Sequence, residues 1–153
     1  MMRNWTISVV LALFVAALAL AAKDESVEQM KARFDSTRPD DQAVLGIQIA
    51  RDQLRNADKL YIAGNGEQAG AAVDDIVTYS EKARDAATQS NKHLKNVEID
   101  VRKIADKLRD IKRTLAFEDQ PSLEKAISRL EEVRTTLLKA MFANDSKDKK
   151  GKK

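Results

Sequence analysis

The stretch DAATQSNKHLK, residues 85–95, decides the fold, because it lies in the middle of one long helical pattern. Asn91 is a mediocre helix former, and the chain's only histidine, His93, follows it closely. Small and apolar residues nevertheless recur at alternating spacings of three and four throughout residues 73–115. A reversal of the chain would normally bring a glycine or a proline and reset this phase. We therefore predict one continuous helix over about residues 67–116.

Glycines and prolines divide the remainder of the chain into shorter helices. Pro39 suits the first position of a helix, and the run GNG at residues 64–66 is typical of a helix end. The shorter helices are predicted over about residues 26–37, 39–63 and 122–143, and the last of them follows a tight turn at residues 117–121. No stretch alternates as a strand would. The predicted fold is all-α: an elongated antiparallel helical bundle or coiled coil, with the first two helices on the first half of the long helix and the last helix on its second half.

The first half of the long helix has only small residues in its seam over residues 80–90. Val27, Met30 and Phe34 lie on one face of the first predicted helix. We expect these three side chains to fill the space that the small residues leave. The first two helices and the first half of the long helix would then form a three-helix unit.

The second half of the long helix has only the last predicted helix beside it. That last helix has a wide apolar face, which one neighbouring helix cannot cover. A large exposed apolar stripe marks an interface. Either two chains pair into a four-helix bundle, or the long helix bends near Ser90 and one chain closes the bundle. The unbroken spacing favours the first arrangement, a homodimer or a complex with another protein. The predicted interface residues are Val97, Val101, Val133, Leu138, Met141 and Phe142.

The beginning of the chain has the pattern of an export signal. Arg3 precedes an apolar run over residues 7–20, and Ala19-Leu20-Ala21 has the small residues that a signal peptidase requires. We predict an exported protein, periplasmic or extracellular; the alternative is an uncleaved membrane anchor, because residues 5–22 are long enough to span a bilayer. The predicted segments are a signal peptide at 1–22, a helical domain at 23–143 and a disordered lysine-rich tail at 144–153.

The composition argues against most catalytic chemistry. The chain has no cysteine and one histidine, His93, which excludes disulfides and thiol chemistry and leaves few ligands for zinc or haem. A helical metal partner of His93 would lie three or four residues away, but those positions hold Gln89, Ser90, Asn96 and Val97. No glycine-rich phosphate loop or nucleophile elbow is present. We predict no enzymatic activity, no catalytic or metal site, no cofactor and no small-molecule substrate.

The net charge of +3 comes from the end of the chain, where DSKDKKGKK holds five lysines and two aspartates. Two functions therefore stay open. The first is a protein-interaction module, scaffold or chaperone-like, that acts through the apolar end of the last helix. The second is a binder of envelope polymer, anionic membrane surface or nucleic acid that acts through the charged tail. The lysines of this tail are Lys147, Lys149, Lys150, Lys152 and Lys153.

Overall fold

The computed structural model describes the backbone of residues 25–150 and the side chains of residues 25–146. Over this part the chain forms five α-helices, one 3-10 helix and no strand, which confirms the all-α prediction. The helices are α1 (Val27–Phe34), α2 (Pro39–Ile62), α3 (Gly66–Ser90), α4 (Leu94–Thr114) and α5 (Gln120–Lys150), and the 3-10 helix Phe117–Asp119 precedes α5. The predicted signal peptide, residues 1–22, lies outside the described residues.

Local sequence signals explain where the first helices begin and end. Gln29 N donates to Ser26 Oγ at 3.3 Å and Ser26 N donates to Gln29 Oε1 at 3.0 Å, so the two residues cap α1 reciprocally. Pro39 occupies the start of α2, where its missing N–H costs nothing. Gly64 turns the chain after α2 with a φ of 78°, a conformation that favours glycine.

The prediction of one continuous helix over residues 67–116 is wrong. α3 ends at Ser90 and α4 begins at Leu94. Asn91 and His93 between them adopt left-handed φ angles of 54° and 62°. Asparagine tolerates this conformation better than most residues, so the turn needs neither glycine nor proline. The spacing continues through the turn because α3 and α4 each present a small or apolar face to the same core.

α4 folds back and runs parallel to α2. Lys92 Nζ lies 3.1 Å from Asp40 Oδ2 near the start of both helices, and Lys107 Nζ lies 3.4 Å from Asp58 Oδ2 near the end of both. α3 is joined to α2 by a short turn and packs along it in the opposite direction. The chain therefore reverses at Asn91–His93, as in the arrangement that the spacing did not favour.

α5 completes a four-helix bundle from a single chain. Glu98 pairs with Arg134 at 3.0 Å and Lys112 with Glu124 at 3.6 Å, which places α5 antiparallel to α4. α5 also packs against α3. The core of this half consists of large aliphatic side chains that are fully or almost fully buried: Val101, Ile104, Leu108, Leu130, Val133 and Leu137.

α1 packs beside α2 and α3. Phe34 reaches the small seam of α3, since Phe34 and Ala83 both lie against Gly46. Lys31 instead pairs with Asp75, nearer the start of α3.

Met30 and Phe34 are buried, and Val27 is partly buried against the core. The ring of Phe34 meets that of Tyr79 edge-on, with centroids 5.4 Å apart. Lys82 Nζ lies 5.2 Å from the Phe34 ring centroid and covers this aromatic pair.

α5 is longer than the sequence suggested. We expected helix to end near Ala143 and a disordered tail to follow, but α5 continues to Lys150. No glycine or proline interrupts residues 122–150, so nothing in the backbone stops the helix earlier. Residues 151–153 of the predicted tail lie outside the described residues.

Candidate functional site, a groove between α2 and α4

A groove of about 350 Å³ lies between α2 and α4, near the end of the bundle that carries the Asn91–His93 turn. Ala43, Ile47 and Val97 line it with buried apolar side chains. The two helices are parallel neighbours with no turn between them, so α3 and α5 set their separation. A space remains between them that larger side chains would have filled.

Two aliphatic side chains make the groove accessible to an apolar partner. Val44, near the start of α2, is 51% exposed although it is a large hydrophobic residue. Ile99 on α4 is partly exposed across from it. Exposed apolar surface beside an apolar groove loses water favourably when another apolar surface covers it.

The rim of the groove is polar. Gln48 and Asn96 present exposed amides, and Arg51 Nη2 donates to Asp100 Oδ1 at 2.9 Å between the two helices. His93 lies at the edge because the left-handed turn places it there. Such a rim can donate and accept hydrogen bonds around an apolar occupant.

The groove holds few groups that could do chemistry. His93 is exposed. Among the described residues, no three or more histidine, aspartate or glutamate side chains come close enough together to hold a metal ion. The arrangement can bind and orient, through apolar contact and hydrogen bonds.

A second polar cluster, between α4 and α5, is fully paired. Glu98, only 9% exposed, accepts a hydrogen bond from Arg134 Nε at 3.0 Å. Arg134 and Arg109 both donate to Glu131, at 2.8 Å and 2.5 Å. Burial acts to raise the pKa of Glu131, but the hydrogen bond from Arg109 and the charge of Arg134 outweigh it and lower this pKa. Each charge has a partner, so the cluster holds helices together.

The structure divides the predicted interface residues into two groups. Three of them are almost fully buried within this one chain: Val97, Val101 and Val133. Because α3 and α4 are separate helices, α2 and α3 cover the face that we expected a second chain to cover. The other three lie at the end of α5, where Leu138 and Met141 are partly buried and Phe142 is 67% exposed.

Val44 and Ile99 are the residues that sequence reasoning missed. Ile99 lies between the predicted interface residues Val97 and Val101, and Val44 lies next to Ala43, which is buried. The signal that could have found them is an aliphatic residue on the face of a helix that should be polar. Only the parallel placement of α2 and α4 brings the two into one groove.

The lysines of the predicted tail fall into two parts. Lys147, Lys149 and Lys150 lie in the last turns of α5. Lys152 and Lys153 lie outside the described residues. No helix among the described residues is long and apolar enough to cross a membrane.

Comparisons of this chain with protein-family models, with curated proteins and with solved structures found no match.

Proposed function

We propose that this protein is an exported, non-enzymatic interaction module, scaffold or chaperone-like, that binds an apolar helical segment of another protein. The groove between α2 and α4 is the observation that supports this proposal. An amphipathic helix that inserts its apolar face into a groove is a recurring mode of recognition. The export pattern of residues 1–22 supports the location.

The shape of the groove favours a helix over a small molecule. Its volume of about 350 Å³ is at the lower end of the range of about 300–1,000 Å³ that is typical of small-molecule pockets. Val44 is half exposed at its side, so a ligand there would keep much of its surface in water. A helix can place a few aliphatic side chains in the groove and cover Val44 with its own backbone.

The polar rim would orient such a helix. Gln48 and Asn96 can bond exposed polar groups of the partner, while the paired Arg51 and Asp100 leave little net charge. Charges at a rim mainly steer association and exclude wrong partners. We therefore expect a partner segment of mixed or neutral charge, and binding that changes little with salt.

Photo-cross-linking in cells tests the proposal. A photoreactive amino acid replaces Val44 in one variant and Ile62 in a matched control, which is 82% exposed on the same helix but near the opposite end of the bundle. We expect a defined protein adduct from position 44 and none from position 62. The same adducts from both positions, or none from either, would contradict the groove as the binding site.

A second variant fills the groove. Asn96→Trp should lower the yield of the adduct from position 44 severalfold, because the indole occupies the partner's place. Lys103→Trp, on an exposed position of the same helix, should not. The mass of the adduct identifies the partner as a second copy of this chain or as another protein. The adduct should also survive removal of residues 145–153, since the groove lies on α2 and α4.

A further inference from the structure

The C-terminal end of α5 projects past its own bundle. Asn144 Nδ2 donates to Asn91 Oδ1, in the turn that joins α3 to α4. The backbone of α5 continues to Lys150, about 9 Å further at 1.5 Å per residue. Asp145 and Ser146 are exposed, so no other helix of the described residues covers α5 where the projection begins.

An exposed aromatic side chain lies at the base of this projection. Phe142 is 67% exposed. Leu138, about one helical turn before it on the same face, is half-buried. Phe142 is therefore a large apolar group held on a helix and facing water, and its burial against another apolar group is favourable.

Two opposite charges flank Phe142 at equal spacing. Lys139 lies three residues before it and Asp145 three residues after it, and both side chains are exposed. At about 100° and 1.5 Å per residue, each lies about 60° to one side of Phe142 and about 4.5 Å along the axis. The exposed face thus runs from a positive charge through an aromatic ring to a negative charge.

Such a face is complementary to a copy of itself in the opposite direction. When two of these helices lie antiparallel and cross at Phe142, the two rings meet at the two-fold axis. Lys139 then lies level with the partner's Asp145, and Asp145 lies level with the partner's Lys139. A two-fold interface requires this kind of self-complementarity, in which each residue meets its counterpart's partner.

From this arrangement we infer that a second copy of this chain docks on the end of α5, in an antiparallel two-fold contact centred on Phe142. The projecting turn of each helix lies beside Leu138 of the other chain and covers its exposed side. The two bundles then extend in opposite directions from the contact, so their bodies do not compete for the same space.

The other exposed phenylalanine provides an internal contrast. Phe117 is 83% exposed at the opposite end of the bundle, but Glu118 and Asp119 follow it directly. Two copies that met there would bring carboxylates of like charge together, which opposes association. The chain therefore exposes one phenylalanine in a self-complementary setting and one in a setting that repels a second copy.

The contact is small and the dimer should be weak. About three helical turns of each chain take part, which is below the size of a stable interface, so we expect a dissociation constant on the order of 100 µM. The inference does not rest on the proposed groove, because neither Phe142 nor its two charged neighbours line that groove.

Sedimentation equilibrium of the full chain as cells produce it tests the inference. We expect a reversible monomer–dimer equilibrium, and Phe142→Ser should raise the dissociation constant at least tenfold. Phe117→Ser is the matched control and should leave it unchanged. A chain that stays monomeric up to about 1 mM, or equal effects of the two substitutions, would overturn the inference. Val44→Asp should leave the dimer intact, so failure of the groove proposal is distinguishable.

Charge reversal tests the antiparallel register. Lys139→Glu and Asp145→Lys should each raise the dissociation constant severalfold, because like charges then face each other. The double variant should restore the original value, since each chain again offers one charge of each sign. Lys125→Glu and Glu132→Lys, at exposed positions of the same helix, are the controls and should have little effect. A double variant no better than the single ones would contradict the antiparallel contact.

Hydrogen exchange tests the contact without any substitution. Backbone amides of residues 143–150 should exchange quickly in dilute protein, because this part of α5 lies past its own bundle. Their exchange should slow severalfold as the protein concentration rises through the dissociation constant. The amides of residues 116–119, at the opposite end, should exchange at the same rate throughout. Slowing at both ends, or at neither, would overturn docking through the end of α5.

Discussion

The two helix pairs of the bundle are packed in different ways. α2 and α3 approach so closely that a Cβ on Gly46 would lie 2.9 Å from the carbonyl oxygen of Tyr79 and 3.0 Å from the Cβ of Ala83. α4 and α5 instead bury large aliphatic side chains and one charged pair, Glu98 with Arg134. The first pair is held by close backbone approach, and the second by the volume between the helices.

This difference explains why, among the described residues, an extra helix packs against the α2–α3 pair and not against the α4–α5 pair. Small side chains bury little apolar area each, and burial stabilises by about 25 cal/mol per Å². α1 supplies the missing area to the α2–α3 pair through Met30 and Phe34. The α4–α5 pair carries enough leucine, isoleucine and valine to need no such cover. Four comparisons of variants test this reading, from the largest expected effect to the smallest.

Truncation of the α1 anchor should have the largest effect. Phe34→Ala removes a buried ring and leaves a cavity beside Tyr79, which should cost about 3–5 kcal/mol in the free energy of unfolding. Urea unfolding measures this loss. Phe117→Ala, at a site 83% exposed, should change stability by less than about 0.5 kcal/mol. A loss below about 1 kcal/mol for Phe34→Ala would show that α1 is not needed.

Breaking the Glu98–Arg134 pair between α4 and α5 should lower the free energy of unfolding somewhat less than Phe34→Ala does. Arg134→Met leaves Glu98 without its partner at a site 9% exposed, for about 2–3 kcal/mol. The double variant with Glu98→Met should recover most of this loss, because no unpaired charge remains. Arg113→Met, which breaks an exposed pair with Asp110, should cost less than about 1 kcal/mol. If the double variant is no more stable than Arg134→Met, the unpaired charge of Glu98 is not the cause of the loss.

The same substitution at two glycines should have opposite signs. Gly46→Ala forces α2 and α3 apart and should cost about 1–3 kcal/mol. Gly70→Ala, in α3, meets nothing within 4 Å and should stabilise by about 0.5–1 kcal/mol through helix propensity. Thermal unfolding of the two variants in parallel compares them. Stabilisation by Gly46→Ala would mean that the close approach of α2 and α3 is absent.

His93→Gly, in the turn between α3 and α4, should have the smallest effect on stability. The sign of this effect distinguishes a chain that reverses at the turn from one continuous helix. His93 has a left-handed φ of 62°, so His93→Gly should stabilise by about 0.5–1 kcal/mol. In a continuous helix the same change would cost a similar amount. Lys103→Gly, on an exposed position inside α4, is the control and should destabilise. Destabilisation by both variants would contradict the reversal at residues 91–93 and support one long helix, with the predicted pairing of two chains.

The structure confirms the parts of the sequence interpretation that rest on local or repeating signals. The start of α1 near Ser26, the start of α2 at Pro39 and the turn at Gly64 are each determined by a few neighbouring residues. The burial of Phe34 was predictable because small residues over a long seam require a larger neighbour. The candidate groove was not predictable, since Val44 and Ile99 are far apart in the chain and meet only when α4 returns beside α2.

The sequence by itself determined the helical class, the faces of the helices and the positions of most turns, because these depend on residues within about one or two turns of each other. Only the tertiary structure decided whether the chain continues or reverses at Asn91–His93. A seam of period three and four is the same for one straight helix and for two helices that face one core, so the pattern carries no information about direction. The reversal buries Val97, Val101 and Val133 within one chain and places α4 beside α2, which forms the groove on which the proposed function rests.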